Sequence, residues 1–168
     1  AMAQSGRSVI IVDCDLRKPV QHKIFKTNNI GVTNILTAQA LLADCLQETA
    51  VENVMLLPAG PIPPNPSELL SSKRMAELLE NLKQRSDIVI VDVPPIIAVT
   101  DAAVIARQVD GTIMVLDAGT AKPEMAKRAQ DLLASAGANI LGVVLNRVEI
   151  DDEHAYYYYY GEEKKAVD

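Results

Sequence analysis

Two aspartates and an arginine close an apolar run in VIIVDCDLRKP, spaced D-x-D-x-R as Asp13, Asp15 and Arg17. A third aspartate, Asp92, closes a second run in DIVIVDVPP, and Asp117 and Asn146 end two more. Three carboxylates of this kind suit a hard cation. Magnesium takes oxygen ligands and keeps several waters beside one or two carboxylates and a phosphate. The other chemistry-bearing stretch is HAYYYYYGEE at 154–163, which holds every tyrosine of the chain: Tyr156, Tyr157, Tyr158, Tyr159 and Tyr160. A phenol has a pKa near ~10, so it attacks only when it is positioned and acidified by a metal or a carboxylate.

The tyrosine run does not read as packing. Consecutive side chains alternate on a strand and fan around a helix, so five in a row cannot share one core. The flanks are acidic. Residues 149–168 carry seven acids against two lysines, a net of −5, which leaves −1 on residues 1–148 of the chain's −6. The expectation is two parts: a near-neutral domain over 1–148 and a flexible acidic tyrosine-cluster tail over 149–168. A tail whose tyrosines are merely a sticky aromatic end remains the plain alternative.

With 168 residues, 49% of them hydrophobic, the chain is long enough for one domain with a real core. No stretch approaches the ~20 apolar residues of a membrane span, and AMAQSGRS carries no signal-peptide pattern. Cys14 and Cys45 lack metal-ligand spacing and His22 and His154 are isolated, so no zinc pattern forms. The acidic balance and the absence of a long basic cluster argue against nucleic acid as a partner.

The elements that must position the carboxylates read as follows. SVIIVDCD (8–15), NVMLLPAG (53–60), DIVIVDVPP (87–95), GTIMVLDAG (111–119) and NILGVVLNRV (139–148) are strand candidates, each short and apolar throughout. Helical spacing follows Pro66 and Ser67 through SSKRMAELLENLKQRS, and recurs in TDAAVIARQV and KPEMAKRAQDLLASAG, the last with Gly137 at its cap. Apolar strands alternating with helices predict an α/β fold, a mostly parallel sheet covered by helices on both faces. Such sheets bind ligands beyond the carboxyl ends of their strands, where Asp13, Asp15, Asp92, Asp117 and Asn146 fall.

Those motifs resemble a known family. VIIVDCDLRKP is similar to the Walker A-prime motif of the bacterial tyrosine kinases, and DIVIVDVPP to their Walker B. ELLSSKRM and LGVVLNRV resemble further segments in the same order, and the tyrosine run resembles their autophosphorylated cluster. The resemblance implies a P-loop NTPase-like fold of the MinD/ParA type and an ATP-dependent tyrosine autokinase tied to exopolysaccharide and capsule synthesis and export. It implies ATP and Mg2+ as cofactors. Asp13 and Asp15 would act around the metal and the tyrosine hydroxyl, with one of them the candidate base. Asp92 would hold magnesium with Asp13, and Arg17 would position phosphate or acceptor. Asn146, with Arg147 beside it, would contact the adenine edge. Tyr156–Tyr160 would be the phosphoacceptors. The implied partners are further copies in a ring-like homo-oligomer held by tail docking, and a membrane activator, the polysaccharide co-polymerase. That places the protein in the cytoplasm, peripheral to the inner face of the membrane.

The chain departs from the family pattern in three places. No G-x-x-x-x-G-K-[ST] phosphate loop occurs in it. AMAQSG reads as the last turn of a helix with its glycine stop, so the expectation is a partial domain lacking the first strand and phosphate loop, inactive by itself, with strand edges and apolar helix faces left exposed. Val93 stands where the family has a hydroxyl residue after the Walker B aspartate, and Asp117 where it has arginine. Two other functions remain open: a MinD/ParA-type ATPase that leaves no phosphate on itself, and a non-catalytic interaction module.

Overall fold

The computed structural model describes residues 1–148. The expected tail, residues 149–168 with Tyr156–Tyr160, lies outside the described residues. A 3-10 turn at Ala3–Ser5 ends at Gly6, whose φ of 82° is left-handed. Then follow β1 (Val9–Asp13), α1 (Gln21–Ile24), α2 (Val32–Leu36), α3 (Leu42–Cys45), β2 (Gln47–Glu48) and β3 (Val54–Leu57). The second half holds α4 (Pro66–Leu70), α5 (Lys73–Lys83), β4 (Ile88–Asp92), α6 (Asp101–Ala106), β5 (Thr112–Asp117), α7 (Pro123–Ser135) and β6 (Ile140–Asn146).

Four strands form one sheet in the order β2-β3-β1-β4, while β5 and β6 pair separately. Every pairing is parallel except the short β2 against β3. The five long strands are those the apolar runs predict. β1 lies between β3 and β4, and Val9, Ile10, Val12 and Asp13 are all buried, which is why its sequence shows no alternation. α5 lays Met75, Leu78, Leu79 and Leu82 into the same core as Ile10, Val12 and Leu57. Its start is fixed by Ser72, whose side chain accepts from the Met75 N–H. α7 stops before Gly137, which takes φ 75°.

The start of the proline-rich segment after β3, Pro58 to Gly60, is packed rather than loose. Val32 and Thr33 N–H donate to the carbonyls of Pro58 and Ala59, each at 2.8 Å. Asn29 makes a reciprocal pair with Gly60, accepting from its N–H and donating to its carbonyl at 3.0 and 2.9 Å. Arg74 donates to the Leu36 carbonyl at 3.0 Å, so it links α5 to the end of α2. The outer surfaces of β5 and β6 stay apolar and open, with Ile113, Val115 and Leu141 more than half exposed. No helix among the described residues is long and apolar enough to cross a membrane.

Candidate active site

Asp13 and Asp92 end adjacent parallel strands and are direct partners in the β1–β4 register. The ladder continues one step past them, where Cys14 N–H donates to the Asp92 carbonyl at 2.8 Å. The two carboxylates therefore open at the same edge of the sheet. Asp13 is fully buried. Its Oδ1 accepts from Asp15 N–H and its Oδ2 from Gln21 N–H, both at 3.1 Å. Burial pushes the Asp13 carboxyl above its usual range; the backbone donors pull the other way, and the Asp92 charge adds to the rise.

Asp15 shapes the loop that follows. Its Oδ1 accepts from Arg17 N–H at 3.2 Å and Lys18 N–H at 2.9 Å, a side-chain turn that folds the chain back toward α1. Among the described residues its Oδ2 accepts no hydrogen bond. Gln21, the first residue of α1, is the residue the sequence reading missed. Its backbone holds Asp13, and its Nε2 donates to Asp92 Oδ2 at 2.6 Å. One residue thus bridges the two acidic motifs, and nothing in a lone glutamine eight residues past Asp13 signals that.

Arg17 is turned away from the carboxylate pair. Its Nε and Nη2 donate to Asp101 at 2.7 and 3.1 Å, and Ser67 Oγ also donates to Asp101. The guanidinium beside Asp101 holds that buried carboxyl below the usual carboxylate range, against the effect of burial. Asn146 lies opposite Asp117 in the β5–β6 register, in the other sheet. Arg147 Nη1 donates to Asp117 Oδ2 at 2.9 Å, so the aspartate that ends β5 pairs with the arginine that follows β6. Cys14 is buried and free, with its thiol pushed up by burial. Val93 packs against the hydrophobic core.

The donor set fits a divalent cation that keeps most of its waters. Asp13 and Asp92 supply hard oxygens at adjacent strand ends, and the rise of the Asp13 carboxyl comes first from burial, with a smaller part from the Asp92 charge. Among the described residues no cluster of three or more ligating side chains forms. Magnesium asks for no more than one or two carboxylates where a phosphate completes its shell.

No family model matches the chain. Individual proteins do. The chain is 45% identical over 162 residues to CapB of Staphylococcus aureus, provisionally named a tyrosine-protein kinase, covering 96% of this chain and 71% of CapB. It is 39% identical over 155 residues to the tyrosine-protein kinase YwqD of Bacillus subtilis, covering 92% of this chain but 65% of YwqD. Among solved structures, the chimerical protein CapA2B2 superposes with a TM-score of 0.84 at 38% identity, over 88% of this chain and 66% of that one. The kinase domain of the Escherichia coli tyrosine kinase ETK gives 0.81 at 35% identity, over 89% and 60%. The Pyrococcus horikoshii septum site-determining protein MinD shares the fold at a TM-score of 0.68 and 24% identity, over 92% and 66%. The order of the strands, the paired aspartates at their ends and this degree of identity agree: the chain belongs to the bacterial tyrosine-protein kinases.

Proposed function

We propose that the protein is an ATP-dependent tyrosine autokinase that phosphorylates its own cluster Tyr156–Tyr160 and thereby regulates exopolysaccharide or capsule synthesis and export. The observation that carries this reading is the juxtaposition of Asp13 and Asp92 at adjacent strand ends, in a chain that also contains an acidic run of five tyrosines. Asp13 and Asp92 would hold Mg2+, which supplies charge neutralisation on the transferred phosphoryl group when bound. Asp15, with one oxygen outside the loop's hydrogen bonds, is the carboxylate left to take the tyrosine proton. Gln21 orients Asp92, and Arg17 fixes the loop bearing Asp15 through Asp101. Asn146 and Arg147 sit at the end of β6, where a base could lie beyond the strands.

The 168 residues contain no phosphate-loop motif. Backbone N–H groups and the lysine of such a loop carry much of triphosphate binding. We therefore expect negligible ATP affinity and no transfer by these residues alone. Transfer would require a phosphate loop joined to them. The wider setting follows the family: a ring-like homo-oligomer, a membrane co-polymerase as activator, and a cytoplasmic position at the inner face of the membrane. Several phosphates on one tail, each bringing roughly −1.5 to −2 charge, would repel one another and loosen such an oligomer.

Intact-mass spectrometry after incubation with Mg·ATP tests the reading, on these residues and on the same residues preceded by a phosphate-loop segment. Phosphate on the tail peptide of the longer form alone is the expected result. ATP hydrolysis with no phosphate retained would favour a MinD-type ATPase, and no activity in either form would favour an interaction module.

A further inference from the structure

The charges of the chain are unevenly placed. It carries 22 acids, yet none falls in residues 16–43, which hold Arg17, Lys18, Lys23 and Lys26. Arg17 is committed to Asp101. Lys18, Lys23 and Lys26 are exposed and enter no ion pair among the described residues. Apolar side chains stand open beside them: Val20 at 44% and Ile24 at 63% exposure, with Ile62 at 64% on the loop after β3. Lys18, Val20, Lys23 and Ile62 line one open groove of about 450 Å3, so cations and aliphatic groups share a face. Ile24 follows Lys23 at the end of the four-residue α1.

This composition discriminates among partners. The cores of protein interfaces are depleted in lysine and favour arginine and aromatic rings. Here the free cations are lysines, the open apolar groups are aliphatic, and Phe25 is half-buried. Nucleic acid would use the charges for its phosphates and leave the aliphatic groups without a partner. An anionic lipid surface uses both. Lysine heads reach the headgroup phosphates, while their stems and the neighbouring aliphatic side chains enter the boundary with the acyl chains. The potential of such a surface falls off within a Debye length, so local lysines can outweigh a net charge of −6 carried elsewhere on the chain.

We propose that this face is a peripheral contact for an anionic lipid surface, with Lys18, Lys23 and Lys26 against the headgroups and Val20, Ile24 and Ile62 at the acyl boundary. It does not depend on the autokinase reading, and it adds a contact of the domain's own to the inner-face position proposed above. The full 168-residue chain is sedimented without nucleotide with vesicles of phosphatidylglycerol and phosphatidylcholine in equal parts, and with vesicles of phosphatidylcholine alone. The expected result is binding to the mixed vesicles only, weakening as salt rises. A lysine near such a surface contributes about fivefold in affinity, so K18Q/K23Q should lower binding about tenfold or more while K18R/K23R retains it. I24S/I62S keeps every charge and should also weaken binding. The open apolar face of β5 and β6 supplies the control, since I113T/V115T should leave lipid binding in place. Equal binding to both kinds of vesicle, or none to the mixed ones, overturns the proposal. Binding that survives K18Q/K23Q, or that is lost in I113T/V115T, overturns it as well. Phosphate transfer by a form that binds no lipid keeps the kinase reading and removes this contact, and lysine-dependent lipid binding without transfer does the reverse.

Discussion

Arg17 donates through Nε and Nη2 to the two oxygens of Asp101 at 2.7 and 3.1 Å, joining the loop after β1 to the first turn of α6 across 84 residues of sequence. Ser67, in the first turn of α4, joins the same carboxylate. Three segments therefore meet on one buried group. The arginine of D-x-D-x-R is held to Asp101 and thereby ties down the loop that carries Asp15.

Asp101→Asn removes the charge that the arginine fork was built around. The pair is half open, since Asp101 is buried while the Arg17 side chain is 41% exposed, so we expect a loss of about 1–3 kcal/mol at neutral pH. The folded carboxyl lies below its unfolded value near ~3.9. Its contribution is therefore present above that unfolded value and is lost as pH falls through the lower folded one. Urea denaturation from pH 7 downward should show the gap between wild type and Asp101→Asn closing below about pH 4. A gap that stays constant with pH would mean that the ion pair is not its source.

Gln21→Leu should separate chemistry from folding. The backbone bond to Asp13 survives, but Asp92 loses the 2.6 Å donor that orients it. Partners that orient metal-binding carboxylates typically matter by about 10–100-fold, and we expect kcat to fall within that range in a form that transfers phosphate. Affinity for Mn2+ in place of Mg2+, read by electron paramagnetic resonance, should change in parallel, whereas the thermal midpoint should move little. A large drop in midpoint with normal metal affinity would make Gln21 a structural residue only.

Much of this was legible in the residues. β1, β4, β5 and β6 are continuous apolar runs, although only β1 is buried almost throughout while β5 and β6 keep exposed residues, and Asp13 and Asp92 stand out as charges at the ends of such runs. α5 and α7 span 11 and 13 residues, long enough for their spacing to show. The four-residue α1 and α3, the five-residue α2 and the two-residue β2 are too short to develop a period. Gln21 and Asp101 were hidden for another reason. Each matters through a partner far along the chain, 71 residues to Asp92 and 84 to Arg17, and pairing at that separation is decided by the fold rather than by local pattern.

Gly31→Ala tests the packing of the proline-rich segment. A Cβ on Gly31 would lie 1.7 Å from the Pro58 carbonyl oxygen, a contact with backbone that no rotamer can relieve. The φ of −173° is ordinary extended backbone, so the obstacle is space alone. The chain would have to part at the two 2.8 Å bonds from Val32 and Thr33 to Pro58 and Ala59. Overpacking of this kind typically costs about 1–3 kcal/mol, and we expect the upper part of that range by urea denaturation. Gly60→Ala, at φ 82°, should also destabilise, through backbone strain and through its approach to Asn34.

The open face of β5 and β6 gives the last expectation. Ile113 and Val115 alternate onto one face of β5, and Val144 stands beside Val115 on β6, with exposures of 54%, 61% and 48%. This is apolar sheet surface, and neither strand is paired on its far side among the described residues. Such surface drives association of like copies by burial of area and by edge pairing. The sedimentation coefficient of the 168-residue chain should therefore rise with concentration. Ile113→Thr with Val115→Thr keeps β-branched side chains, and with them the preference for a strand, while adding hydroxyls to the open face. The double variant should sediment at a constant rate over the same range, with stability changed by no more than about 0.5 kcal/mol for positions this exposed. Identical concentration dependence in both proteins would show that the chain associates through a different surface.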